Sequence, residues 1–158
     1  MALSSSDIRS SYPLPVYNFR VEIGTDTVAF AAVSGLSIAY ATTTYQESPT
    51  AHGQAGPVSM VMPAQSQTTT LTLTKGVVPL VSVKALYAWI AQIRANQVEK
   101  KDVTIRLCDE KGDPVMSWIV QNAFPTKLEA PSFDVTSNDV AIETLELTAD
   151  GVVIDEAA

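Results

Sequence analysis

The chain has 158 residues, enough for one domain that buries roughly two thirds of the surface its unfolded form exposes. Charged residues make up 17%, against about 25% in ordinary soluble domains, and Thr, Ser, Gln, Asn and Ala stand in their place. The net charge of −7, with the 10 basic residues scattered, excludes a dedicated nucleic-acid binder, and a single cysteine excludes an internal disulfide or a CxxC metal site.

A monomer needs a charged skin to stay dispersed, whereas surface destined for subunit contacts does not, so the composition favours an oligomer over a small Thr-rich monomer. The first dozen residues are Ser-rich, and 1–14 reads as a flexible or partner-docked arm. It has no apolar h-region, so no secretory signal is expected. No apolar run approaches the roughly 20 residues of a membrane span, so no membrane insertion by the chain itself is expected.

Tyr17, Phe19, Val21 and Ile23 alternate with polar residues and predict a strand that ends at Gly24–Asp26. Thr27–Val33 is predicted as a second strand, broken by Ser34–Gly35. Leu36–Glu47 is predicted as a long third, with Leu36, Ile38 and Tyr40 on one side and Ser37, Ala39, Ala41 and Thr43 on the other. The small, Gly- and Pro-containing stretch 48–57 is a loop, extended over 47–60 when its flanks are counted. Val58–Met62 predicts a short strand and Pro63–Ser66 a connection. In the next strand Leu71 and Leu73 alternate with Thr70, Thr72 and Thr74, and Thr is β-branched, so this strand presents a polar face without charge.

One helix is predicted, Ser82 to Asn96, with Val83, Leu86, Tyr87, Ile90 and Ile93 as its packed face. Ser82 reads as its N-cap and Asn96 as its stop; Lys84, Gln92 and Arg94 face outward, and Trp89 packs beside the stripe. Val103–Leu107 and Val115–Asn122 predict a hairpin about Glu110–Asp113. Its second strand carries large apolar groups on both faces, Met116, Trp118 and Val120 against Val115 and Ile119, and so asks for cover on both sides. Pro125, Pro131 and Ser137–Asp139 set loops, Val140–Thr148 predicts a last long strand that Val152–Ile154 extends, and 155–158 forms an acidic tail. The result is one β-rich domain over 1–158 with one helix.

No catalytic, cofactor-binding or metal-binding residues are expected. His52 is the only histidine and lies in the loop without a Cys or His partner. No GxSxG elbow, GxGxxG or GxxxxGK[ST] occurs. Asp109, Glu110 and Asp113 lack the order of a calcium loop, Asp134 and Asp139 suit turns, and Cys108 has no adjacent cation.

Five blocks carry a resemblance: YPLPVYNFRVEIG (Tyr12–Gly24), FAAVSGLSIAY (Phe30–Tyr40), MPAQSQTTTLTLTKGV (Met62–Val77), NQVEKKDVTIRL (Asn96–Leu107) and NAFPTKLEAPSFDVTSNDVAIETLELTADGV (Asn122–Val152). In this order they resemble the tail-tube proteins of contractile phage tails. The likeness is greatest to the inner-tube subunits of extracellular contractile injection systems, of the antifeeding-prophage and Photorhabdus virulence cassette type. Relative to that pattern, the connection through 46–61 is longer by several residues, in a region where the family makes contacts between subunits or rings. Glu47, Ser48, Pro49, His52, Gln54 and Pro57 are therefore candidate inter-subunit residues.

The resemblance implies two packed antiparallel β-sheets of the sandwich or barrel type with one helix, joined six times into a hexameric ring around a continuous inner β-barrel. It implies stacking of rings into a tube, a surrounding sheath, a baseplate hub and spike, a tube-terminating cap, protein effector cargo in the lumen and no specific nucleic-acid binding. It also implies assembly in the bacterial cytoplasm followed by release in an extracellular particle. Two sets of residues are candidates for lining the lumen, Thr70, Thr72 and Thr74, or Ser37, Ala39, Ala41 and Thr43. The alternatives are a phage tail tube conducting DNA, an initiating ring at the baseplate, and a type VI secretion-like hexameric ring; a hydrolase is the distant remainder.

Overall fold

A computed structural model describes residues 2–93 and 97–156. The expected N-terminal arm carries a seven-residue helix, α1 (Ser5–Ser11), capped by Ser4, whose Oγ accepts from the Asp7 N–H. Strands follow as β1 (Phe19–Ile23), β2 (Asp26–Val28), β3 (Ala32–Ser34), β4 (Tyr40–Glu47), β5 (Val58–Ser66) and β6 (Thr69–Gly76). A helical segment comes next: α2 (Pro79–Val81), a π-helical turn (Ser82–Tyr87) and α3 (Ala88–Ala91). The chain closes with β7 (Lys101–Cys108), β8 (Pro114–Glu129), β9 (Ile142–Ala149) and β10 (Gly151–Glu156).

All strand pairs are antiparallel. A first sheet runs β2-β1-β7-β8-β10 and a second runs β8-β9-β6-β3; the 16-residue β8 belongs to both. Its first half pairs with β7 and β10, and its second half, from Phe124, pairs with β9. The change of sheet happens at Asn122, whose φ of 53° is one that Asn tolerates better than most residues. Its backbone N–H donates to Asp102 Oδ1 at 3.0 Å and its side-chain amide to Asp150 Oδ2 at 2.9 Å. Asp150 N–H in turn donates to the Gln121 carbonyl, so the β9–β10 corner is fixed beside the β8 bend.

The core lies between the two sheets. Val21, Ile23, Val103, Ile105 and Val120 come from the first, Leu71, Leu73, Leu145 and Leu147 from the second, with Leu86 and Trp89 from the helical segment. Each fully buried Leu or Val contributes roughly 1.5–3 kcal/mol against exposure.

Several sequence expectations are corrected. The predicted strand 27–33 is two short strands on different sheets, because the chain crosses from β2 to β3 at 29–31. The strand predicted from Leu36 starts at Tyr40, and Pro63–Ser66 belongs to β5 instead of a connection. Pro125 lies within β8, at the register shift between Pro125 and Lys127, an irregularity of the kind that admits a proline in a strand. Val152–Ile154 does not extend β9; after Asp150 it turns onto the other sheet and pairs with β8.

The helix begins at Pro79, whose missing N–H costs nothing in the first turn, so Ser82 is no N-cap. Ser82 is buried: it accepts from the Val78 N–H at 3.2 Å and donates to Glu143. The π-helical turn winds more widely than 3.6 residues, which moves the buried line to Ser82, Leu86 and Trp89 and leaves Val83 and Tyr87 exposed. Trp89 packs in the core, and its Nε1–H donates to the Glu99 carbonyl at 2.8 Å. The predicted stop at Asn96 and the outward Arg94 fall outside the described residues, as does the end of the predicted acidic tail.

Candidate assembly surfaces

The second sheet has four strands, and its two faces differ. Inward lie Leu71, Leu73, Leu145 and Leu147; outward lie Thr70, Thr72 and Thr74 on β6. Directly opposite them on β9 stand Thr148, Glu146 and Thr144, and β8 adds Phe124, Lys127 and Glu129 to the same rows. The Lys127 ammonium lies 3.7 Å from the Glu129 carboxylate. This outer face is thus centred on Thr hydroxyls, with charges at Glu146, Lys127 and Glu129 and one ring at Phe124, and a β-branched, uncharged residue such as Thr builds it without sacrificing strand preference.

One position on the inward face breaks the apolar alternation. Lys75 follows Leu71 and Leu73 at strand spacing and is buried beside Glu143, its direct partner on β9. Their charged groups are 3.7 Å apart, with side chains only 5% and 10% exposed, and Lys75 also donates to the Gly76 carbonyl at 2.7 Å. With Ser82 donating to Glu143, the pair ties the helix start to the second sheet. The signal was available in the sequence, since a Lys in register with two core leucines needs a partner.

The other candidate set divides. Ser37 and Ala39 precede β4 in an irregular stretch, and the register shifts between Tyr40 and Thr42, so Ser37, Ala39, Ala41 and Thr43 do not form one strand face. The stretch nevertheless stays beside its partner: Thr69 Oγ1 donates to the Ser37 carbonyl at 2.9 Å and Gln67 N–H to the Ala39 carbonyl at 2.8 Å. Ala32 opposes Thr74 and Tyr40 opposes Ser66 in the same register, so β3–β4 and β5–β6 make one long ribbon with an interruption at Gly35. There φ is +91°, and a Cβ would sit 2.3 Å from the Thr70 carbonyl oxygen, a place only glycine occupies.

Beyond the interruption the ribbon leaves the sandwich. β4 and β5 pair only with each other. Thr43, Tyr45, Met60 and Met62 share one face and Thr42, Thr44, Ser59 and Val61 the other, and all are exposed. At its tip lie Ser48, Pro49, His52, Gln54 and Pro57, just past Glu47; all but the half-buried Pro49 are exposed. An isolated two-stranded ribbon is marginal in water. Exposed apolar side chains recur elsewhere, on Leu80, Val83 and Tyr87 of the helical segment and on Phe133, Val135 and Val140 before β9. The chain exposes 11,003 Å², whereas a compact monomer of 16.9 kDa exposes about 7,700 Å².

Reactive groups do not converge. Among the described residues no three His, Cys, Asp or Glu side chains gather as a metal site requires. Asp109 Oδ1 accepts from the N–H groups of Lys111 and Asp113 and shapes the β7–β8 turn. Asp134 accepts from Thr136 N–H and Oγ1, and these bonds hold its carboxyl below the ordinary aspartate range. Cys108 is buried.

Among the described residues, then, the second sheet has a Thr-rich outer face, edges at β3 and at the second half of β8 without a partner strand, and a ribbon that projects beyond it. Residues 15–153 match the family model of the T4-like virus tail tube protein gp19. The chain belongs to that family.

Solved structures place the likeness more narrowly. A chain from the extended-state sheath–tube complex of PVC, an extracellular contractile injection system, is 44% identical over 99% of this chain and 100% of its own, with a TM-score of 0.87. A chain from the anti-feeding prophage tube-terminating cap is 43% identical over 99% and 100%, with a TM-score of 0.83. A chain from the anti-feeding prophage baseplate shares the fold at 24% identity over 92% and 97%, with a TM-score of 0.72. Among curated proteins none matches.

Proposed function

We propose that this tail-tube protein is the inner-tube subunit of a phage-tail-like extracellular contractile injection system. Six copies join the free β3 edge of one to the free β8 edge of the next, closing their second sheets into one barrel with Thr70, Thr72 and Thr74 on the lumen. Rings stack through the β4–β5 ribbon and its tip. A sheath surrounds the tube, a baseplate starts it, a cap ends it, and contraction drives it with protein cargo inside. The particle forms in the cytoplasm and works after release, and the chain has no enzymatic task.

The observation that carries this reading is the 44% identity across the whole length of both chains to a chain of a sheath–tube complex. The greater identity there than to the baseplate chain supports a ring of the shaft over an initiating ring. Four strands per copy agree with the size of such a barrel. Twenty-four strands about 4.8 Å apart and tilted about 40° give a backbone diameter near 48 Å. Less the side chains, the channel is roughly 35–40 Å wide, comparable with the ~34 Å diameter of a 100-residue globule. A face centred on Thr hydroxyls gives such cargo few apolar groups to adhere to.

Electron microscopy of the purified protein tests the reading: stacked annuli with six-fold symmetry are expected. A monodisperse monomer at every concentration, alone and with sheath and baseplate proteins, would remove it.

A further inference from the structure

The sandwich is closed on one side and open on the other. On the closed side β8 passes from sheet to sheet and the β9–β10 corner is bonded to it. On the open side, between β3 and the β1–β7–β8 layer, lies a groove of about 320 Å³ lined by Val16, Phe19, Val33, Leu36, Leu107 and Trp118. Nothing in the described chain fills it, although Phe19, Val33, Leu36 and Trp118 already pack on the core from its floor.

The segment 130–141 leaves the opposite edge of the second sheet, between β8 and β9. It exposes Phe133 at 87% and Val135 at 103% of their full surface, while Asp134 and Ser137 hold the turn between them by three side-chain hydrogen bonds to Thr136 and Asp139. Such a turn is already ordered before binding, so little entropy is lost when it docks. The groove and the loop lie at the two ends of one hydrogen-bonded row of the second sheet. Glu129, Thr144, Thr74 and Ala32 form one row across it; the loop departs from the Glu129 end, and Ala32 borders the groove.

We infer that Phe133 and Val135 of one copy of this chain plug the open side of the next copy's sandwich. The inference rests on the ring reading and adds its side-chain lock. Donor and acceptor sit on opposite edges of the same sheet, so the contact is head to tail, the kind that forms a ring when its rotation closes. The occupant is a second copy because the chain itself carries both halves. The area allows it: the surplus of about 3,300 Å² over a compact monomer leaves room for lateral contacts as well as for the ribbon's.

Cysteines at two exposed positions test this, Val16→Cys on the groove rim and Val135→Cys on the loop, with the buried Cys108 as internal control. Under mild oxidation the double variant is expected to give a ladder of cross-linked oligomers, and an equal mixture of the two single variants only dimers. Rings seen by microscopy without a ladder overturn the lock and leave the ring reading standing. Monomers without a ladder overturn both. As a second measurement, Phe133→Ser, at a position that touches no core, is expected to raise the half-assembly concentration at least about tenfold with an unchanged thermal midpoint. Unaltered assembly overturns the inference.

Discussion

The ribbon formed by β3–β4 and β5–β6 has two halves built from similar residues, and they behave in opposite ways. In the half within the sandwich, every second side chain of β6 is buried and the strand has partners on both sides. In the half beyond Gly35, β4 and β5 have only each other, and Tyr45, Met60, Val61 and Met62 face solvent. The difference separates a stretch that supports the core from one that, on the proposed reading, serves assembly, both in one ribbon that Gly35 interrupts. Substitutions in the first half should unfold the chain, and substitutions in the second should leave the isolated chain folded while preventing rings from stacking into tubes.

The largest effect is expected where the sandwich half is most intolerant. Lys75→Met removes one member of a buried pair and leaves Glu143 uncompensated, costing about 3–5 kcal/mol in denaturant unfolding. The double change Lys75→Met with Glu143→Leu should restore much of it, and failure to do so would mean that the Ser82 bond to Glu143 matters more than the ion pair. Leu147→Ala, at a fully buried site, should cost about 2–5 kcal/mol by the same measurement.

At the junction, Gly35→Ala meets both a positive φ and the Thr70 carbonyl, and a loss of about 2 kcal/mol or more is expected. Because the junction sets where the ribbon points, this variant should also assemble poorly when folded. In the projecting half, Tyr45→Ser should change unfolding by less than about 0.5 kcal/mol, as surface substitutions do. Its effect should appear in the proportion of rings that stack into tubes, read by sedimentation. Amide exchange sharpens the same contrast: β4–β5 amides should exchange fast in the free chain and slowly in stacked tubes, while those of β6 and β9 stay protected in both.

The smallest effect concerns the 130–141 loop and pH. The Asp134 carboxyl is held below its ordinary value by Thr136, so its turn is supported above the unfolded carboxylate range and loses support as pH falls through the lowered pKa. The Thr136 amide resonance should therefore move only under strongly acidic conditions. A transition near neutral pH would contradict this assignment.

Much of the fold was legible because strand alternation is local. Phe19–Ile23, Leu71–Leu73 and the β7–β8 turn follow from period-2 patterns and turn residues. The helical face was misread because a π-helical turn changes the period on which that reading depends. Of the candidate assembly residues, the β6 threonines could be assigned to one face from the sequence, whereas Ser37, Ala39, Ala41 and Thr43 could not. A register shift at Tyr40–Thr42 is a property of the pair of strands and leaves no mark in either alone.

The sequence by itself determined the β-rich class, the polar Thr face, the scarcity of charge and the absence of any catalytic pattern, because composition and nearest-neighbour alternation carry those. Tertiary structure alone decided that β8 serves two sheets, that Lys75 finds Glu143, and that one side of the sandwich stays open. Those outcomes depend on which strands meet, and strands distant in sequence meet only when the whole core is buried at once.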